Sequence, residues 1–291
     1  FSGAQNVISA ALLSLFKLGD RIAVDPFTYS NLIGTARMMH IPLVPVEGDS
    51  GGMLPESLEK ICSSGRISGI FLMPDCANPT TVTLTEERRD ALARIIRKYD
   101  LILIEDDCSC NFRNRPAGSF CSRLPEQTVY ICGSTKHLCS GLRVTFAAFP
   151  ERFREPLLNG LHLLNIKTSS LDAEIMTELI MSGRAEQILK EKQILARRAN
   201  EIFHAVFPEE YDPEKMDCFF RKLPLPATKL DGVQIEKLFS DAGVSVYHSN
   251  RFSVQQHSGN VFLRLSLSST ANETALSEGL NTVKQICSVY F

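Results

Sequence analysis

The sequence predicts an α/β fold: a large domain over residues 1–183 built as a three-layer, mostly parallel sheet, followed by a smaller α+β domain over residues 184–291. Two observations predict it. Short, continuous apolar segments alternate with helical stretches of roughly 10–15 residues, and strands buried on both faces need such helical crossovers. Beyond Gly183 the alternation gives way to one long amphipathic helix and then to short mixed elements. The length of 291 residues agrees, because single hydrophobic cores stop growing near this size.

Each element has its own signal. Val7, Ile8, Ala11, Leu12, Leu15 and Phe16 recur at helical spacing, and Gly19-Asp20 ends that run before the short apolar segment 21–24. The pattern repeats as a helix near 29–40, a strand at 43–46, a helix near 55–62 and a strand at 69–73. A long helix over 85–99 starts with Thr85 as its cap and Glu86-Glu87 in its first turn, then leads into the apolar strand 101–104. Strands at 129–132 and 144–149 complete the large domain. After the helix from Gly183 through Phe207 come a segment at 217–223, a helix near 233–241, two short strands and a terminal helix.

Composition narrows the function classes. Lys plus Arg total 31 against 33 for Asp plus Glu, with no block of like charge, so the electrostatic footprint of a nucleic-acid binder is missing. No apolar run approaches the ~20 residues needed to cross a bilayer, so no membrane partner is expected. Nine cysteines are scattered through strands and loops. The nearest pairs, Cys108 with Cys110 and Cys132 with Cys139, lack zinc-knuckle spacing and companion histidines, so reduced thiols in a cytoplasm are expected and no metal. No strand is followed by G-x-G-x-x-G, which disfavours a dinucleotide enzyme. The chain opens abruptly at Phe1, as expected of a piece of a longer protein.

Four segments carry chemistry, and all fall where the loops of a parallel sheet gather ligands. Gly3-Ala4-Gln5 begins a helix whose free N–H groups can hold a phosphate, or simply makes a tight turn. In the 74–81 loop, two prolines around Asn78 can aim its amide rigidly; read alone, it is a turn. Glu105-Asp106-Asp107 ends an apolar strand, and a carboxylate buried there needs a cationic partner, a metal or a helix to cap. Lys136 and Arg143 share a loop between two strands, where like charge disfavours the ammonium form of the lysine; the bland alternative is a solvated lysine.

Together, in this order and at these spacings, the four segments resemble the class I/II aminotransferases of pyridoxal 5'-phosphate (PLP) fold type I, over nearly the whole chain. The resemblance implies roles. Gly3, Ala4 and Gln5 match the phosphate-binding turn and Arg143 a phosphate ligand, and Ser134 falls among the cofactor-binding residues. Tyr29 matches the aromatic that stacks on the pyridine ring, Asn78 the amide donating to its phenolic oxygen, and Asp106 the carboxylate that keeps the ring nitrogen protonated. Lys136 matches the Schiff-base lysine and proton carrier. Arg264, within 261–266, matches the arginine that clamps a substrate carboxylate, a task suited to its planar fork. An amino acid would be converted to a keto acid, in a homodimer.

Departures from the family pattern are also legible. Ser109 stands where a tyrosine usually donates to the phenolic oxygen, and is too short to span the same gap, so weak turnover is expected. Gly133 replaces a serine, and Thr81 replaces a glycine, read as the milder change. The wording of the motifs is most similar to the C-terminal domains of MocR-type GntR-family regulators, which sense PLP or an amino-acid adduct. On that alternative, DNA would be bound only by a winged-helix domain outside this chain.

Overall fold

The computed structural model describes residues 1–107, 109, 118–213, 215–226, 228–255 and 261–291. The Cys108–Cys110 pair therefore lies outside the described residues. In chain order the elements are α1 (Ala4–Leu15), β1 (Ile22–Val24), α2 (Ser30–Met38), β2 (Leu43–Pro45), β3 (Gly48–Asp49), β4 (Gly52–Met53), α3 (Pro55–Ser64), β5 (Gly69–Leu72), α4 (Glu86–Lys98) and β6 (Ile102–Asp106). There follow α5 (Phe120–Arg123), β7 (Thr128–Gly133), β8 (Thr145–Ala148), α6 (Glu151–Asn165), α7 (Ser170–Met181), α8 (Arg184–Val206), β9 (Phe220–Pro224), α9 (Gly232–Asp241), β10 (Tyr247–His248), β11 (Phe262–Ser266) and α10 (Glu273–Tyr290).

Among the described residues, six strands form one sheet in the order β2-β1-β5-β6-β7-β8. All neighbours are parallel except β8, which runs antiparallel to β7 at the edge. Successive side chains of a strand point to opposite faces, and β5 shows the consequence: Phe71 and Met73 enter one core, Ile70 and Leu72 the other. The first core packs α1 and α6 on the sheet through Val7, Ile8, Leu12, Phe153 and Leu157. The second seats α3, α4 and α5 on the opposite face through Leu58, Leu92, Ile96 and Phe120. The three layers of the expected α/β fold are therefore present, and the strand order reverses between β1 and β5, where a crevice opens at the carboxyl ends.

A second sheet, β10-β11-β9, is antiparallel and packs against α8, α9 and α10 in a core of its own, with Phe203, Ile235, Phe239, Leu263, Leu280 and Val283 buried. The two bodies meet beside the start of α2. Phe27 packs edge-on against Phe262 at 4.9 Å, and the Thr28 amide donates to the Phe252 carbonyl at 2.9 Å.

Several elements differ from the sequence reading. The segment expected at 217–223 becomes a strand only from Phe220. α6 and α7 went unread for opposite reasons: α6 holds Pro156 and Gly160, both helix breakers by propensity, and α7 buries only Met176, leaving a weak apolar stripe. Gly160 has a packing reason, since a Cβ there would overlap Ser14 and approach Ala10 of α1. By contrast α4 follows its signals: Thr85 Oγ1 accepts from the Arg88 amide at 3.3 Å, with Glu86 and Glu87 at one end and Arg97 and Lys98 at the other.

Candidate functional site

The carboxyl ends of β1, β5, β6 and β7 each deliver one side chain of interest to a cavity of about 220 Å³. Tyr29 comes from the loop after β1, Asn78 from the loop after β5, Asp106 from the last position of β6, and Lys136 from the turn after β7. Ala4 and Gln5 line it from the first turn of α1, Arg143 from the loop before β8, and Arg264 from β11 of the second sheet. Residues separated by as many as 260 positions in sequence thus share one wall (4 to 264). A larger opening of about 520 Å³ shares Thr135, Lys136 and Arg143 with it and reaches the start of α10.

Gly3 caps α1 with φ 89° and ψ 161°, a conformation essentially reserved for glycine, and contributes no side-chain cap. The Arg143 guanidinium occupies the space beside it: a Cβ on Gly3 would come within 2.9 Å of Arg143 Cζ. The helix N-terminus and the guanidinium together make a place for an anion. Gln5 lines the cavity but commits its amide nitrogen to Thr35 Oγ1 at 2.9 Å. Ser134 is placed elsewhere. It is buried, its hydroxyl donates to the Val144 carbonyl, and it does not line the cavity.

The three consecutive acids separate by strand alternation. Glu105 accepts from the Phe120 and Cys121 amides at 2.8 and 2.9 Å, capping α5, and burial pushes its carboxyl up to about 7 against those two hydrogen bonds. Asp107 accepts from the Tyr130 hydroxyl at 3.0 Å. Asp106, pointing the other way between them, is the one that faces the cavity. Helix capping was thus the right reading for Glu105, and Asp106 is the one of the three acids that lines the cavity.

Asn78 is held by a loop whose ends are tied together. Leu84 donates its amide to the Pro74 carbonyl, and the fully buried Arg89 reaches Pro74 O at 3.1 Å, Leu84 O at 3.1 Å and Asp75 Oδ1 at 2.8 Å. The Asn78–Pro79 bond is cis, and the Asn78 side-chain oxygen is buried without a hydrogen-bond partner. Sequence reasoning missed Arg89. A signal existed: Arg89 falls on the same helical face as Leu92, Ala93 and Ile96, and a charge on an apolar stripe demands a partner. Thr81 is not the mild change expected, because it adopts φ 61°, where a β-branched residue is an outlier and glycine is at ease.

Arg264 lies in register with Lys222 of β9 and Tyr247 of β10, with its Cζ 4.7 Å from the Phe220 ring. Its Nε is buried without a hydrogen-bond partner, and burial lowers its pKa, though a guanidinium stays charged. Met73, Asp75, Cys76, Ser109, Thr135 and Phe220 complete the wall. Of these only Ser109 was singled out in the sequence. Asp75, Cys76 and Thr135 lie within the loop motifs but were given no role, and Met73 and Phe220 are found only once the loops converge.

The family model described as aminotransferase class I and II matches residues 1–278. The HTH-type transcriptional regulator YdeF of Bacillus subtilis is 33% identical over 285 residues, 98% of this chain and 62% of that protein. The HTH-type regulator YjiR of Escherichia coli is 24% identical over 227 residues, 73% of this chain and 46% of its own. The bovine mitochondrial kynurenine/alpha-aminoadipate aminotransferase is 28% identical over 194 residues, 62% of this chain and 44% of its own. This chain therefore spans less than two thirds of the length of these relatives. Among solved structures, the alpha-aminoadipate aminotransferase LysN of Thermus thermophilus, complexed with N-(5'-phosphopyridoxyl)-L-leucine, superimposes with TM-score 0.88 at 20% identity, covering 99% of this chain and 76% of that one. At that identity the likeness is one of fold. No described helix is long and apolar enough to cross a membrane.

Proposed function

The chain belongs to the aminotransferase class I and II family, and from that membership we propose that its cavity binds PLP and receives an amino acid or the matching keto acid. The observation that carries this reading is the convergence of Asn78, Asp106, Lys136, Arg143 and Arg264 from separate strand ends on one cavity. The residues fit the cofactor on their own terms. The buried Arg264 Nε awaits an acceptor, and the lack of a side chain at Gly3 lets the Arg143 guanidinium lie against the first turn of α1. The division of the chain at Gly183, the left-handed residue that opens α8, into large and small domains belongs to the same proposal.

PLP, when bound, supplies an electron-poor ring that takes up the electron pair released as the substrate's Cα–H bond breaks. The first turn of α1 and Arg143 bind the phosphate, by N–H donors and charge. Asp106 keeps a proton on the ring nitrogen, because a carboxylate in this low-dielectric setting stabilises a cation beside it. Asn78 donates to the phenolic oxygen and Tyr29 covers the ring. Lys136 would anchor the cofactor and, as a free amine, would take up and give back the proton at the substrate Cα. Arg264 binds the substrate carboxylate with two parallel N–H donors.

A second reading, an effector-sensing domain with little or no turnover, is favoured by the 33% identity to an HTH-type regulator and by Ser109 in the cavity wall. A cytoplasmic location and a homodimer go with either reading. The seven described cysteines are free thiols, and Leu163, Ile166, Leu171 and Met181 expose apolar surface on and between α6 and α7, which supports assembly. PLP titration followed by borohydride reduction and peptide mapping tests the site: a visible band and a label on Lys136 support it, and no label on Lys136 overturns it. Keto-acid formation from a panel of amino acids then separates enzyme from sensor.

A further inference from the structure

Two thiols that the proposed chemistry does not use meet where the two sheets approach each other. Cys76 lies two residues before Asn78 and lines the cavity, whereas Cys218 stands at the entrance to β9, the strand paired with β11 and its Arg264. Both are 3% exposed, and they pack with Phe220 and Met216 in one small cluster. Cys218 Sγ lies 3.1 Å from the Phe220 carbonyl oxygen, and the two thiols are near enough to perturb each other's titration. Burial pushes the Cys76 thiol well above its ordinary range. At Cys218 burial acts the same way, but the neighbouring Cys76 thiol and the charges of Arg221 and Arg264 outweigh it and hold the thiol below its usual range. Among the described residues no other two cysteines share a core cluster.

We propose that Cys76 and Cys218 form a thiol–disulfide modification site, which a hydroperoxide closes into a covalent tether between the Asn78 loop and the β9–β11 ribbon. To bond, the two sulfurs must come to about 2.05 Å of each other. The step balances with one peroxide. The Cys218 sulfur, as thiolate, attacks one peroxide oxygen; an S–O bond forms, the O–O bond breaks, and the departing hydroxide takes up the thiol proton as water. The Cys76 sulfur then displaces that oxygen; the S–S bond forms, the S–O bond breaks, and the oxygen leaves as a second water with the Cys76 proton. Two thiols lose two electrons and the peroxide gains them. On the reading of the site given above, the tether fixes the spacing between Asn78 and Arg264, so it would hold the two bodies at one separation. The bond itself does not depend on that reading.

The test uses the whole chain. The reduced protein is treated with one equivalent of hydrogen peroxide, denatured, alkylated with iodoacetamide, digested and mapped by mass. The peptides carrying Cys76 and Cys218 are expected as one species two hydrogens lighter than their sum, formed ahead of any other pair and lost on adding dithiothreitol. Recovery of both as alkylated thiols, or the appearance of other pairs first, overturns the proposal. Cys218→Ser should abolish the species, and the wild-type map decides the matter even if that variant folds poorly. PLP binding is scored separately on the same samples. If PLP never binds and the cross-link forms, the functional reading fails alone; if PLP binds and no cross-link forms, the modification site fails alone.

Discussion

Replacing Arg89 by methionine should destabilise the whole large body, by an amount the structure allows to be worked out. Arg89 and Asp75 both have fully buried side chains, joined at 2.8 Å. Removing one partner of such a pair leaves a buried, uncompensated charge and costs about 3–5 kcal/mol. Arg89 also satisfies the Pro74 and Leu84 carbonyls, which close the loop that presents Asn78, so the loss reaches the cavity as well as the core. At about 2–4 °C per kcal/mol for a body of this size, the expected fall in Tm is about 6–20 °C. Thermal unfolding followed by circular dichroism measures the fall in Tm and urea unfolding the free-energy loss, with Lys237→Ala as the control. The Lys237–Asp241 pair is 71% and 63% exposed and its loss should stay under about 1 kcal/mol. An Arg89→Met variant within about 1 kcal/mol of wild type would refute the claim that this pair holds the loop.

Gly3→Ala should cost about 1–3 kcal/mol through its φ of 89° and ψ of 161°, and because a Cβ displaces Arg143, PLP affinity should fall by about tenfold or more in a visible titration; affinity within twofold of wild type would count against the phosphate cradle. Thr81→Gly should raise stability by about 1 kcal/mol, since relief of a left-handed threonine outweighs the extra freedom of glycine when unfolded; urea midpoints compare the two. Glu105, raised from 4.5 to about 7 by burial, holds its proton in the folded state where the unfolded chain has released it. Its contribution is therefore full below pH 4.5 and lost as pH rises through about 7. Glu105→Gln should flatten that part of the Tm–pH curve, leaving the parallel contribution of Asp25, which burial also raises to about 7. Ser109→Tyr, by restoring a phenol to the cavity wall, should move the pH midpoint of the visible PLP band; an unmoved midpoint would remove Ser109 from the account of weak turnover.

The sheet was legible because its strands are short apolar runs between helical stretches; β5 follows from its apolar run and α4 from its Thr85 cap and charged ends. α6 and α7 were not, because Pro156 and Gly160 oppose helix by propensity and α7 has little apolar surface to bury. At the site, Asn78, Asp106, Lys136, Arg143 and Arg264 were all named in advance, and the structure brings them together. Their chemistry sits in short motifs, and parallel sheets bring loop motifs to one edge. Ser134 was expected among the cofactor-binding residues, whereas its hydroxyl is spent on Val144 and it does not line the cavity. Arg89, the partner of Asp75, was missed although its place on an apolar helical face signals a buried charge, whereas the meeting of Cys76 with Cys218 joins distant segments that no local spacing links.

The cavity draws on Ala4 at one end of the chain and Arg264 near the other. Pairings of such long sequence separation form late and slowly, since loop closure must precede the contacts that reward it. No early folding intermediate can then hold the full set of groups. Cofactor capture consequently reports completion of folding, and PLP at a hundred times its Kd would deepen the native well by about 2.7 kcal/mol while leaving the unfolded chain untouched. In a cell, the supply of this vitamin-derived molecule would set how much of the protein survives as well as how much of it works.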